Sequence, residues 1–174
     1  MKEEVIELDT VDKYNKFFKV ETYHPMVTVV DLSKITQPAQ PFTINYGIYA
    51  LFLKDTLCGD ITYGRQPYDY QEGTIVCFAP GQVASIHAQE GTRPTGYGLL
   101  FHPDFIRGTQ LGHDIRNYSF FSYEAREALH LSEEERHTVI DCLHKIDTEL
   151  RRPADKHSRR LITANIGLLL DYCM

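Results

Sequence analysis

Tryptophan is missing from this sequence, and cysteine and methionine are scarce, with 4 Cys and 3 Met in 174 residues. Cys58, Cys77, Cys142 and Cys173 are scattered without a CxxC pair, so neither a zinc ribbon nor a dithiol redox motif is spelled out. Two of them sit inside apolar runs, which reads as buried free thiols in a reducing cytoplasm. Positive charge is in deficit: the net charge is −6 and the pI near 5.7, the wrong sign for gripping a phosphate backbone. No apolar run approaches the roughly 18 residues needed to span a bilayer. The opening MKEEVIELD lacks the apolar stretch of a secretory signal, so a cytoplasmic protein without membrane contact is expected. Neither GxGxxG, GxxxxGK[ST] nor GxSxG occurs, which removes the phosphate-cradling and hydrolase-elbow readings.

The chain is long enough for one substantial core, and its 43% hydrophobic and 24% charged residues are ordinary for a globular protein. It is organised around Tyr70 to Gln82. There the apolar run Thr74 to Ala79 lies between a Glu72-Gly73 turn and a Pro80-Gly81 turn. Gly supplies positive φ and Pro pre-sets the first turn torsion, so this is a short buried strand between turns. Val27 to Leu32 reads as a strand by its β-branching, and Pro38 and Pro41 bracket a loop. Phe42 to Leu53 reads as one long strand, apolar on both faces and therefore buried on both. Cys58 to Tyr63, Tyr68 to Tyr70, Gln82 to His87 and Gly96 to His102 add short strands separated by turns, a sandwich, barrel or jelly-roll pattern. Residues 1 to about 24 read as an N-terminal arm or edge strand anchored by Phe17-Phe18.

Past Pro103 the pattern turns helical. Ser132-Glu133-Glu134-Glu135 is a capping box, followed by Val139, Cys142, Leu143, Ile146 and Leu150 at helical spacing. Pro153 stops that helix, and a second begins near Asp155 with two apolar stripes. One stripe is Ile162, Ile166, Leu169 and Cys173; the other is Leu161, Leu168 and Tyr172. Two stripes imply two partners, the chain's own core and a second copy of the chain. The closing LLLDYCM has no Gly and no polar tail, so a longer protein continuing past Met174 is expected.

GTIVCFAPGQ looks like a degenerate second cupin motif, in which a Gly-led strand runs into a Pro-Gly turn. The runs YGLLFHPDFI, FFSYEAREALHLSEEE and IDTELRRPADKHSRRLITANIGLLLDYC are similar to AraC-type transcription regulators, and together these stretches cover the chain from about Pro41 to its end. The resemblance implies a mainly β fold: an arm (1–25), a cupin-like double-stranded β-helix or jelly-roll barrel (26–102), and a helical dimerisation region (103–174) closing on an antiparallel helix pair. It also implies an effector-sensing homodimer, not an enzyme, whose DNA-reading helix-turn-helix units lie beyond residue 174. Metal-dependent cupins carry a His-x-His pair and further ligands, whereas no His stands between Ile44 and Tyr70. No cofactor and no metal are therefore expected; a cupin metalloenzyme is the alternative, and a pure dimerisation module the third reading.

On this reading an unidentified small molecule enters the barrel and meets Tyr46, Tyr49, Tyr63, Arg65, Tyr70 and His87. The Tyr rings fill space while their hydroxyls offer polar contacts, and Arg65 suits a carboxylate or phosphate unless it is a turn residue at the surface. Dimer contacts are expected from Leu161, Ile162, Ile166, Leu168, Leu169 and Tyr172, with either stripe as the seam. His137, Asp141 and His144 share a helical face at zinc-compatible spacing, but it lies opposite the apolar stripe and reads as solvated. Ser85, His87 and Asp104 have the residue types of a triad with nothing to position them. His24 and His102 each precede a proline in a turn.

Overall fold

The apolar run that begins at Phe42 is two strands rather than one. The chain bends at Gly47, whose amide donates to Leu8 O at 2.8 Å. A Cβ there would stand 2.7 Å from the Asp9 Cα, so only glycine lets the two segments pass this closely. The bend moves the chain from one sheet to the other. In this computed structural model, residues 4–36, 41–54, 59–63, 66–67, 74–88, 95–122 and 129–174 are described, with backbone alone for 59–63, 66–67 and 87–88.

The strands are β1 (Val5–Leu8), β2 (Val27–Asp31), β3 (Phe42–Tyr46), β4 (Tyr49–Lys54), β5 (Gly59–Tyr63), β6 (Gln66–Pro67), β7 (Thr74–Phe78), β8 (Val83–Ala88), β9 (Gly96–Phe101) and β10 (Leu129–His130). They form two five-stranded sheets, ordered β1-β3-β8-β5-β6 and β10-β7-β4-β9-β2. All pairings are antiparallel except β1 with β3, which is parallel. The protein is thus a mixed α/β fold with two sheets and C-terminal helices, and no strand pairing among the described residues closes the sheets into a barrel.

The β4 sheet explains why its strands are apolar throughout. Strand geometry sends alternate side chains to opposite faces. Val30, Ala50, Phe52, Val76, Phe78 and Leu100 face the other sheet, where they meet Phe42, Ile44, Tyr46 and Ala84. Val27, Leu51, Leu53, Ile75, Cys77, Leu99 and Phe101 face the helices. The N-terminal segment belongs to the inner core: Leu8, then Val11 and Tyr14 of α1 (Val11–Phe17), and Phe18 are buried between the sheets.

The helical layer contains two short helices, α2 (Pro103–Ile106) and α3 (Gln110–Asp114), then 3-10 turns up to Phe121. Two long helices follow, α4 (Glu133–Leu150) and α5 (Lys156–Tyr172). Ser132 starts α4 as its residue types require: its hydroxyl accepts from Glu135 N at 3.1 Å, while Glu135 Oε2 accepts from Ser132 N at 3.3 Å. Val139, Cys142, Leu143, Ile146 and Leu150 are the buried face of α4. Asp155 caps α5 and accepts from Ser158 N at 2.8 Å. Among the described residues, no helix is long and apolar enough to cross a membrane.

Ser132→Ala removes one half of the capping box while leaving the buried face of α4 intact. It should lower stability by about 1 kcal/mol in urea or thermal unfolding, with the unfolding slope unchanged. No measurable loss would mean that packing alone sets the start of α4.

Candidate functional site

Between the sheets the space around Tyr46 is aromatic. Its ring is stacked on Phe78 at 4.8 Å and 13°, with Phe52 at 6.5 Å. Tyr14 joins the same cluster through Phe18 at 4.6 Å and Phe52 at 6.3 Å. Tyr46 is 2% exposed. Burial raises both phenols well above the usual tyrosine range, so they stay neutral and remain hydrogen-bonding groups.

Tyr49 departs from the expected barrel interior. It starts β4 on the far side of the Gly47 bend, and its ring stacks on Phe101 at 5.1 Å and meets Phe121 edge-on at 5.3 Å, within the helix-facing core. Tyr46 and Tyr49 therefore belong to different cores and cannot line one pocket. The backbones of Tyr63 and His87 lie on neighbouring strands β5 and β8, where Tyr63 pairs with Ala84 and His87 with Asp60. Their side chains, like Arg65, Tyr70 and Cys58 as a whole, lie outside the described residues.

The other constellations are not assembled as sites. His137, Asp141 and His144 are exposed on α4, and the His144 ring meets Tyr97 edge-on at 5.6 Å. Ser85 shares a 2.8 Å hydrogen bond with Thr43, whereas Asp104 pairs with Arg107 at 2.5 Å on α2. His24 Nδ1 accepts from Met26 N, and His102 Nδ1 from Asp104 N, each at 3.0 Å; these are turn and cap roles. Among the described residues, no group of three or more His, Cys, Asp or Glu is close enough to hold a metal ion.

The two stripes of α5 are separated by the fold. Ile162, Ile166, Leu169 and Cys173 are buried in the chain's own core, so a second copy does not reach them. Leu161, Leu168 and Tyr172 face solvent at 48%, 44% and 43% exposure. This outward ridge is flanked by two grooves. One, about 320 Å³, lies against α4 and is lined by His144, Thr148, Glu149, Leu161 and Asn165. The other, about 780 Å³, lies against α3, with Lys156, Arg160, Ala164, Leu168, Tyr118 and Asp171 in its lining.

Three polar residues that the sequence reading passed over hold this layer in place. Arg159 donates through Nε and Nη2 to Phe105 O at 3.2 and 3.0 Å, and through Nη2 to Arg107 O at 3.1 Å, tying the start of α5 to the end of α2. At the other end the Tyr118 hydroxyl donates to Asp171 Oδ1 at 2.6 Å. Burial and this carboxylate together push the Tyr118 hydroxyl well above its usual range. Gln82, 3% exposed, donates from Nε2 to Phe121 O at 2.6 Å and accepts at Oε1 from Ala79 N at 2.6 Å. A Gln directly after a Pro-Gly turn was the one sequence signal for such a connector. Arg159, inside RRPADKHSRR, carries no local sequence signal of its contacts with Phe105 and Arg107.

The three free thiols of the described residues, Cys77, Cys142 and Cys173, lie in the helix-facing core. Burial raises all three, Cys173 up to about 12, so little thiolate forms near neutral pH. Native protein at pH 8 should leave these three unlabelled by iodoacetamide, as read by peptide mass mapping, and denaturant should expose them. Rapid labelling of Cys173 would mean that the last turn of α5 opens in the native state. No family model matches this sequence, and no curated protein matches it either.

Proposed function

We propose that this chain is the effector-sensing and dimerisation domain of an AraC-type transcription regulator, with a cupin-like jelly-roll β portion and the α4–α5 hairpin as the clasp between two copies. DNA reading is assigned to helix-turn-helix units outside these 174 residues. The observation that carries the reading is the ridge of Leu161, Leu168 and Tyr172, three large side chains left in solvent on a helix whose opposite face is buried. Isolated surface leucines need no explanation, but three at i, i+7 and i+11 make one stripe.

The charges along α5 favour a second copy as the partner. Lys156 and Arg160 stand near its start and Asp171 near its end. Two such helices crossing antiparallel about a twofold axis set unlike charges opposite each other, as a self-complementary interface needs. The stacked aromatic interior around Tyr46 also favours a second reading, a dimerisation module whose sandwich is filled by its own side chains.

Light scattering on the eluting protein should give twice the 20.1 kDa chain mass. Leu161→Asp with Leu168→Asp should weaken self-association at least about 100-fold, because two charges then replace apolar anchors. Circular dichroism should stay unchanged. A monomeric wild type at tens of micromolar, or a variant that still dimerises, overturns the clasp.

A thermal-shift screen of sugars and small acids tests sensing separately. A compound that raises the melting temperature supports the sensor, since a ligand that binds only the folded state stabilises it. A dimer that no compound stabilises is the pure assembly module.

A further inference from the structure

Tyr46 is tied to one turn by both of its backbone polar groups. Its N–H donates to Gln82 O at 2.9 Å, and its carbonyl accepts from Gly81 N at 2.7 Å. That turn follows Pro80, and Gly81 takes φ +90 within it, a conformation closed to most other residues. The turn cannot drift freely, because the Gln82 side chain closes it through Ala79 N. The other end of the same amide donates to Phe121 O in the helical layer. Phe121 ends a 3-10 turn in which its N–H donates to Tyr118 O at 3.2 Å, and the Tyr118 hydroxyl holds Asp171 in the last turn of α5.

We infer that Gln82 and Tyr118 are the positioning residues of a relay that links packing around Tyr46, between the sheets, to the C-terminal turn of α5 beside Leu168 and Tyr172. The inference rests on the proposed role of α5 as the self-association face and gives that face its regulation. A molecule that displaces the Tyr46 ring from Phe78 has two outcomes open to it. Either it leaves the backbone of Tyr46 in place, or it moves the 79–82 turn and with it Gln82.

Gln82 is 3% exposed, so bulk water is poorly placed to take over from Phe121 O. Breaking that bond leaves an unpaired donor and an unpaired carbonyl, which makes the connection closer to two-state than elastic. Coupling of this kind acts in both directions and requires each perturbation to favour one arrangement. Contiguity of the bonds makes the path physical, and measured energetic coupling is what establishes it.

The test is amide hydrogen exchange read by nuclear magnetic resonance on the whole chain, with Gln82→Glu, Tyr118→Phe and the double variant. As the carboxylate, Gln82→Glu keeps an acceptor for Ala79 N and loses the donor to Phe121 O. Tyr118→Phe removes one hydroxyl and keeps the ring. Gln82→Glu should speed exchange at Leu169 to Cys173 about tenfold. Tyr118→Phe should in turn speed it at Gly81 and Gln82. The double variant should show no more than the larger single effect, because both residues act in one path.

Effects that stay within each residue's own element, or that add in the double variant, overturn the relay. If Gln82→Glu does not fold, the response of the 79–82 turn to Tyr118→Phe decides alone. Sedimentation of the same samples separates the two claims. A monomer with coupled amides removes the α5 clasp but upholds the linkage, and a dimer with uncoupled amides removes only the relay.

Discussion

A sheet that is apolar on both faces has to be covered twice, and the arrangement of this protein follows from that constraint. β4, β7 and β9 carry Leu51, Leu53, Ile75, Leu99 and Phe101 on one side and Ala50, Phe52, Val76, Phe78 and Leu100 on the other. At about 25 cal/mol per Å² of apolar surface, leaving either side in water would outweigh any single hydrogen bond in the molecule. The second sheet, with α1 and the N-terminal strand, covers one side; α2 to α5 cover the other. Because both layers are needed, the helical region is not an appendage to a finished β domain.

Covering one side with helices has its own consequence. α5 spends Ile162, Ile166, Leu169 and Leu170 on the core, together with Cys173 just past its end, and has Leu161, Leu168 and Tyr172 left over. The polar bonds that seat it lie at its two ends, Arg159 on the carbonyls of Phe105 and Arg107, and Asp171 under the hydroxyl of Tyr118. A helix pinned at both ends presents its outer ridge at a defined angle. On the proposed reading, that geometry suits an interface between two copies and couples the ridge to whatever moves the pins.

Gln82 is one point where the two covering layers are joined. Its backbone serves the inner layer through Tyr46, and its side chain serves the outer layer through Phe121. A buried amide with both ends occupied is more directional than the apolar contacts around it, which tolerate repacking.

The elements governed by local chemistry were legible in the residues alone. The Ser132 capping box and the Val139–Leu150 stripe announce α4, Pro153 follows its end, Asp155 starts α5, and Pro80-Gly81 ends β7, because caps, periods and turns depend on neighbours within a few residues. The double-sided burial of β4 and β7 was legible too, from runs with no polar alternation. Only the tertiary structure decided which layer each face meets. Gly47 bends because Asp9, thirty-eight positions away, occupies the space a side chain would need. That bend puts Tyr46 and Tyr49 in different cores, although they are three residues apart. Nor does helical period say which stripe of α5 faces inward, since both are apolar; α4 and the β4 sheet settle it by taking Ile162, Ile166 and Leu169. Long-range contact chooses among locally equal faces, and no local pattern carries that choice.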